Sequence, residues 1–261
     1  MGEKFGGKRK LDDAFKLAKE NFFRQRHKFL VMNSDRKESR EVISNPRVER
    51  EFIFGGTFDP IHHGHLAIIE SLLEIDRDAR VRVIPCAVPA LKNAPSTSFN
   101  QRLEMLTLAL SDQKRVLIDS REAQRAGPSF TIDTLTELKS EMPTTRLALV
   151  MGADSILDIE KWYQWQAFAK TCHLIVVNRP GIELSAIERA ISISGFQKQL
   201  SYDALKSNAV GQAFYYQMPE KSESSTQIRD SGSHSETARF MLPESVIEYI
   251  RKNRLYTGEN S

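Results

Sequence analysis

Residues 52–66, FIFGGTFDPIHHGHL, place a Gly-Gly pair, a proline and three histidines where an apolar run ends and a helical one begins. The chemistry these residues suit is the binding of phosphate. Gly55 and Gly56 let the backbone approach a ligand with no Cβ in the way. A helix opening near Gly64 offers unpaired N–H groups and a positive dipole end. His62 and His65 are three apart, so both imidazoles face one side of the helix start and can donate hydrogen bonds to phosphate, while His63 points elsewhere. Two histidines without a third ligand make a poor zinc site. The stretch reads as the seat of a nucleotide triphosphate.

Near the other end, SESSTQIRDSG offers Ser224, Ser225 and Thr226 as caps for a short helix, with Arg229 expected in its first turn. The cap accounts for the hydroxyls. An arginine there is opposed by the helix dipole, so anion binding accounts for it better.

The elements that position these residues follow from the hydrophobic pattern. Strands are expected near 50–55, 81–87, 115–119, 146–151, 173–177 and 213–218. Helices are expected near 63–75, 99–111, 130–141, 153–159, 164–170, 184–194, 225–231 and 243–253. Runs such as RLALVMG and HLIVVN, bounded by Gly or Asn and separated by helices, are strands of a parallel sheet covered on both faces. The fold is then α/β, a doubly wound parallel sheet whose ligands sit at the carboxyl ends of the strands. GGTFDPIHHGH, PALKN, GADS and NRPG each follow a strand, a convergence that turn punctuation alone does not produce.

Composition narrows the class. The chain has 261 residues, 40% hydrophobic and 27% charged, enough for one generous domain or one domain with an appendage. Residues 1–50 carry 14 Lys/Arg against 8 Asp/Glu, a net of +6, so the other 211 carry −3 of the total +3. The main domain is thus not a basic nucleic-acid binder, and no nucleic-acid partner is expected. Cys86 and Cys172 lie in apolar runs without CxxC spacing and read as buried thiols of a reducing cytosol. No run has the length of a membrane span and the head lacks a signal-peptide core, so a cytoplasmic location is expected. Residues 1–46 form a basic extension, with Leu11, Phe15, Ala18 and Phe22 at near-helical spacing, and 47–261 form the main domain. The extension is either a helix for a partner, a membrane surface or RNA, or an appendage with Met32 as an alternative initiator. A charge-rich amphipathic run is commonly a solvated helix, which favours the second.

The ordered motifs resemble a known family. His62-His63-Gly64-His65 is similar to the HxGH motif of the nucleotidyltransferases, and Ser224 to Arg229 to their SSTxIR motif. From about residue 50 to about 257 the chain resembles bacterial nicotinate-nucleotide adenylyltransferases, with NQRLEML (100–106), SFTIDTL (129–135), MGADS, VVNRPG (176–181) and LPESVIEYIRKNRLY (242–256). The resemblance implies a Rossmann-like fold and the joining of nicotinate mononucleotide to AMP from ATP, with release of pyrophosphate. It implies direct in-line attack by the mononucleotide phosphate, no protein nucleophile, and Mg2+ on the phosphates rather than on protein side chains. His62, His65 and Arg229 would be catalytic. Gly55, Gly56, Thr57, Phe58, Gly64, Asp154, Arg179, Ser225 and Thr226 would bind ATP, and Lys92, Phe130, Thr131 and Trp162 the mononucleotide. Trp162 would stack on the pyridine ring; core packing with Trp165 is its plainer role. The family's PPHK reads here Pro89-Ala90-Leu91-Lys92, so the histidine is replaced by Leu91, and Phe130 replaces a tyrosine. The amide substrate, another nucleotidyl transfer, or a silent nucleotide-binding regulator are the alternatives. A homo-oligomer stays open.

Overall fold

The computed structural model describes residues 49–207, 210–219, 223–232 and 235–257. The expected extension at 1–46 lies outside them. Seven strands form one parallel sheet in the order β3-β2-β1-β4-β5-β7-β6. They are β1 (Arg50–Gly56), β2 (Arg80–Pro85), β3 (Val116–Ile118), β4 (Arg146–Gly152), β5 (His173–Val177), β6 (Gln197–Gln199) and β7 (Gln212–Tyr216). In β5 every residue is buried, and β4 is buried from Leu147 to Met151. Neither strand alternates, because helices cover both faces of the sheet.

Helix α1 (His63–Ile75) follows β1 and α2 (Phe99–Ala109) follows β2. Ser98 opens α2 with a capping box: its hydroxyl accepts from Gln101 N–H at 3.3 Å, and Gln101 Oε1 accepts from Ser98 N–H at 2.9 Å. Helix α3 is Thr131–Glu141, α4 Ala153–Ile156, α5 Phe168–Thr171, α6 Leu184–Ile193 and α7 Asp203–Ser207. The chain then builds α8 (Ser225–Ser231), α9 (Glu236–Met241) and α10 (Glu244–Lys252).

Two expected helices are corrected. The segments 153–159 and 164–170 are mostly a staircase of tight turns: α4, 3-10 turns at Ile159–Lys161 and Trp165–Ala167, then α5. Ile156, Ile159, Trp162, Trp165 and Phe168 recur every three residues, which is the period of a 3-10 turn and not the 3.6 of an α-helix. All five pack on the central cluster beneath α3 and α6. Gln164, at φ 49°, breaks the helical path between the two turns. Strand β6, α7 and α9 were not expected. The polar QKQ of β6 is an edge segment held by pairing to β7, and it carries no hydrophobic pattern of its own.

Because all strands run the same way, the loops after β1, β2, β4 and β5 meet at one edge. β1 and β4 are neighbours whose connections leave to opposite sides, which opens a crevice between their carboxyl ends.

Candidate active site

The first wall of the crevice is the loop from Gly55 to His62. A Cβ on Gly55 would meet nothing within 4 Å among the described residues, so this glycine leaves space for an approaching group. Gly56 differs: a Cβ there would sit 2.8 Å from the Phe58 ring, so its small size serves internal packing. Phe58 adopts φ 51°, an uncommon conformation for a bulky residue that costs on the order of 1 kcal/mol. Its ring is buried edge-on against Phe54 and His65, with centroids at 5.6 and 5.0 Å, and this packing holds the turn.

His62 caps α1 and His65 stands in its first turn. Their rings lie 3.7 Å apart, centroid to centroid, at 30°. A Cβ on Gly64 would approach the His62 ring to 3.0 Å, so a larger residue there would push the ring from its place over the helix start. His65 Nδ1 accepts from the His62 backbone N–H at 3.3 Å. In a neutral imidazole that leaves Nε2–H as the donor. Burial, then the positive charge of Arg179, then His63, lower the His62 pKa to about 3. Burial comes first for His65 too, followed by the charges of His62, Arg179 and Lys92, and its pKa lies well below the usual value. Both rings are therefore neutral donors at neutral pH. His62 Nδ1 is buried with no hydrogen-bond partner among the described residues.

Arg179, at the end of β5, thus lies within electrostatic reach of both imidazoles, and its Nε is 3.5 Å from Asp154 Oδ1 at the start of α4. A Cβ on Gly152 would collide with that carboxylate oxygen. The GADS and NRPG loops are brought together with the histidine pair, as the sequence suggested. Lys92 is exposed on the loop after β2, near enough for its charge to act on His65.

Arg229 requires a correction. It lies in the last turn of the seven-residue α8, where a helix dipole favours a cation, so the dipole argument for anion binding lapses. Its Nη1 donates to the Asp59 carbonyl at 2.7 Å and its Nη2 to Thr226 Oγ1 at 3.2 Å. Ser225 Oγ donates to the Pro60 carbonyl at 3.0 Å. Ser224 alone is the cap, accepting from Gln227 N–H at 3.1 Å. The SSTQIR segment fastens the histidine loop from behind.

On the β4 side, Phe130 precedes Thr131 at the N-terminus of α3, and its ring lies 4.4 Å from that of Tyr163. Trp162, half-buried, meets Phe168 edge-on with centroids at 6.1 Å. Tyr163, about half exposed, was not singled out in the sequence, although it sits beside Trp162 in the staircase. Arg102 was also missed: it is 1% exposed and donates from Nη1 to the Thr57 carbonyl at 2.7 Å.

No group of three His, Cys, Asp or Glu side chains suited to a metal occurs among the described residues. The side chains that converge here are imidazole, guanidinium and ammonium donors, which suit anions. An ion such as Mg2+, which keeps its waters and binds through substrate phosphates, fits that donor set as part of the incoming nucleotide.

Comparisons with known proteins speak to the family and the fold. The cytidylyltransferase-like family pattern matches residues 53–231. A probable nicotinate-nucleotide adenylyltransferase of Marinomonas sp. (strain MWYL1) is 38% identical over 205 residues, 78% of this chain and 93% of that protein. One of Hahella chejuensis is also 38% identical, over 214 residues, 80% of this chain and 96% of its own. Among solved structures, the Plasmodium falciparum nicotinic acid mononucleotide adenylyltransferase complexed with NaAD superposes with a TM-score of 0.64 at 19% identity. It covers 80% of this chain and 97% of that one. At that identity the likeness speaks for the fold.

Proposed function

The chain belongs to the cytidylyltransferase-like family, among its nicotinate-nucleotide adenylyltransferases, and from that premise we propose how its site works. It is an adenylyltransferase of NAD biosynthesis. It transfers AMP from ATP to nicotinate mononucleotide, giving nicotinate adenine dinucleotide and pyrophosphate. An oxygen of the mononucleotide phosphate bonds to the α-phosphorus of ATP as the bond from that phosphorus to the pyrophosphate oxygen breaks. No side chain is consumed. Such a transfer requires two anions to be aligned and the charge on the transferring and departing oxygens to be neutralised.

The observation that carries this reading is the neutral, stacked His62–His65 pair at the mouth of α1, with Arg179 beside it and open space at Gly55. His65 Nε2–H and the His62 ring donate to the triphosphate, and His65 stabilises the charge that develops in transfer. Gly55, Gly56, Thr57, Phe58 and Gly64 shape the seat of the phosphates. Asp154 and Arg179 lie toward the ribose and base, and Thr226 toward the triphosphate. Arg229 and Ser225 act on ATP through the loop they fasten. Mg2+ carried in on ATP would offset part of the charge of its phosphates, with no protein side chain as its ligand.

Lys92 addresses the mononucleotide phosphate. Trp162, Phe130 and Tyr163 supply flat faces for the pyridine, and the backbone N–H groups opening α3 at Thr131 favour a carboxylate over an amide. Cys86 and Cys172 are free thiols, which supports a reducing, cytoplasmic setting. The test is pyrophosphate release from ATP and Mg2+ with nicotinate mononucleotide and, separately, with nicotinamide mononucleotide. Strong preference for the acid is expected; equal turnover of the two would assign the amide as well, and no release with either would refute the activity.

A further inference from the structure

The short loop between β1 and the histidines is fastened at every carbonyl from Thr57 to Pro60 except that of Phe58, and each tie comes from a distant part of the chain. Arg102 holds Thr57, Arg229 holds Asp59 and Ser225 holds Pro60 through their backbone oxygens. The Asp59 side chain adds a second kind of tie. It is 3% exposed and accepts three hydrogen bonds: from Ser96 N–H at 2.6 Å, Thr97 Oγ1 at 2.7 Å and Tyr256 Oη at 2.6 Å. These donors lie 37, 38 and 197 residues away in sequence.

Ser96 and Thr97 end the loop that carries Lys92, and Asp59 begins the turn that leads to His62 and His65. One carboxylate therefore fastens both loops to each other and to the C-terminal turn at Tyr256. Burial, then the Asp59 charge, raise the pKa of the Tyr256 hydroxyl far above its usual value, so it remains a donor at every working pH. Hydrogen bonds to a charged acceptor are about twice as strong as neutral ones, and a fully satisfied buried network rigidifies what it joins. A buried carboxylate is a poor device for stability alone, since apolar packing of similar volume does as well or better. It is suited to fixing one loop against another, next to a residue, Phe58, held at positive φ.

We propose that Asp59 and Tyr256 are positioning residues that couple the two substrate subsites, the triphosphate side at His62 and His65 and the mononucleotide side at Lys92. The inference rests on the adenylyltransferase reading above. When one substrate draws its loop into the bound position, the Asp59 junction carries the other loop with it, so the second substrate meets a loop already in place.

The test uses the full chain as wild type, Tyr256→Phe, Asp59→Asn, Thr97→Val and Thr97→Ser. KM for each substrate, kcat and melting temperature are measured. Calorimetry then gives the affinity for nicotinate mononucleotide with and without a non-hydrolysable ATP analogue and Mg2+. In the wild type the analogue tightens mononucleotide binding. Tyr256→Phe and Thr97→Val raise both KM values about tenfold and bring the tightening factor close to one, while Thr97→Ser keeps wild-type values. Lower kcat and melting temperature with both KM values unchanged would overturn the proposal in favour of a structural role. So would a wild type without coupling. If Asp59→Asn fails to fold, Tyr256→Phe, which removes a single oxygen, decides the matter. A wild type that binds both ligands cooperatively but releases no pyrophosphate would sink the reaction and keep the junction.

Discussion

The two edges of the same sheet differ in the polar groups they leave short of partners. At the amino edge, Arg50 binds Asp76 through Nε at 2.5 Å and Nη2 at 3.1 Å, and Tyr202 donates to the same carboxylate at 2.8 Å. Arg115 donates to the carbonyls of Leu73, Asp76 and Ala79, closing the end of α1. Burial would raise the Asp76 pKa, but the hydrogen bonds from Arg50 and Tyr202 overcome it and hold the group at about 2. At the carboxyl edge, two imidazoles are stacked, neutral and incompletely bonded beside a cation. Polar groups answered within the chain, Asp76 at one edge and Asp59 at the other, fix the backbone around them, whereas polar groups left short of partners await a ligand that supplies them.

The sharpest way to break that contrast is to delete one group from each edge. His65→Ala should lower kcat/KM by about 10²–10³-fold, the effect of removing a preorganised donor, with only a modest fall in melting temperature from the lost packing on Phe58. Asp76→Ala should do the reverse. It takes the buried partner from Arg50, leaving it the longer contact to Asp78, and the acceptor from Tyr202, and costs about 3 kcal/mol of stability by denaturant titration, with kcat and KM of the remaining folded enzyme preserved. If either variant shows the other's signature, the division between edges is wrong.

A second pair of predictions concerns pH, where the edges act over different windows. Asp76 has its folded pKa below its ordinary 3.8, so it stabilises fully above pH 4, and that contribution is lost as pH falls toward 2. His62 also has a lowered pKa, about 3 against 6.5, but its charged form is the protonated one. The unfolded chain binds a proton there that the native site refuses, so stability falls as pH drops from about 6.5 toward 3. His62→Gln should lessen the decline in the upper window, to which His65 also contributes, and Asp76→Asn the decline in the lower, in urea titrations at stepped pH.

Much of this was legible in the sequence because it is local. GGTFDPIHHGH carries its own glycines, its histidine spacing and the strand and helix on either side, and the buried strands announce themselves as unbroken apolar runs. What could not be read depends on distance. Nothing near Asp59 indicates that its partner is Tyr256, 197 residues on, or that Arg229 spends its charge on a loop carbonyl. Arg102 was visible only as one more residue of a helix. The staircase through Ile156, Ile159, Trp162, Trp165 and Phe168 did carry a signal, a period of three, but that period lies close enough to 3.6 to be taken for a helix. The three polar residues of β6 carried none.

The smallest expected effect separates the glycines of the phosphate loop. Gly55→Ala adds a methyl group to open space, so melting should be unchanged while KM for ATP rises several-fold. Gly56→Ala pushes on the Phe58 ring and should also cost about 2 kcal/mol of stability, as overpacking does, seen as a lower melting temperature.

The central claim is that the histidine pair is held neutral, with the His65 Nε2–H free to meet phosphate. Nitrogen-15 spectra of the imidazoles, recorded at pH 7 and pH 5.5 with and without a non-hydrolysable ATP analogue and Mg2+, test it most directly. The account predicts a neutral Nε2–H tautomer of His65 at both pH values and a shift of that nitrogen when the analogue binds. An imidazolium at pH 7 in the free protein, or an Nε2 resonance indifferent to the analogue, would contradict it.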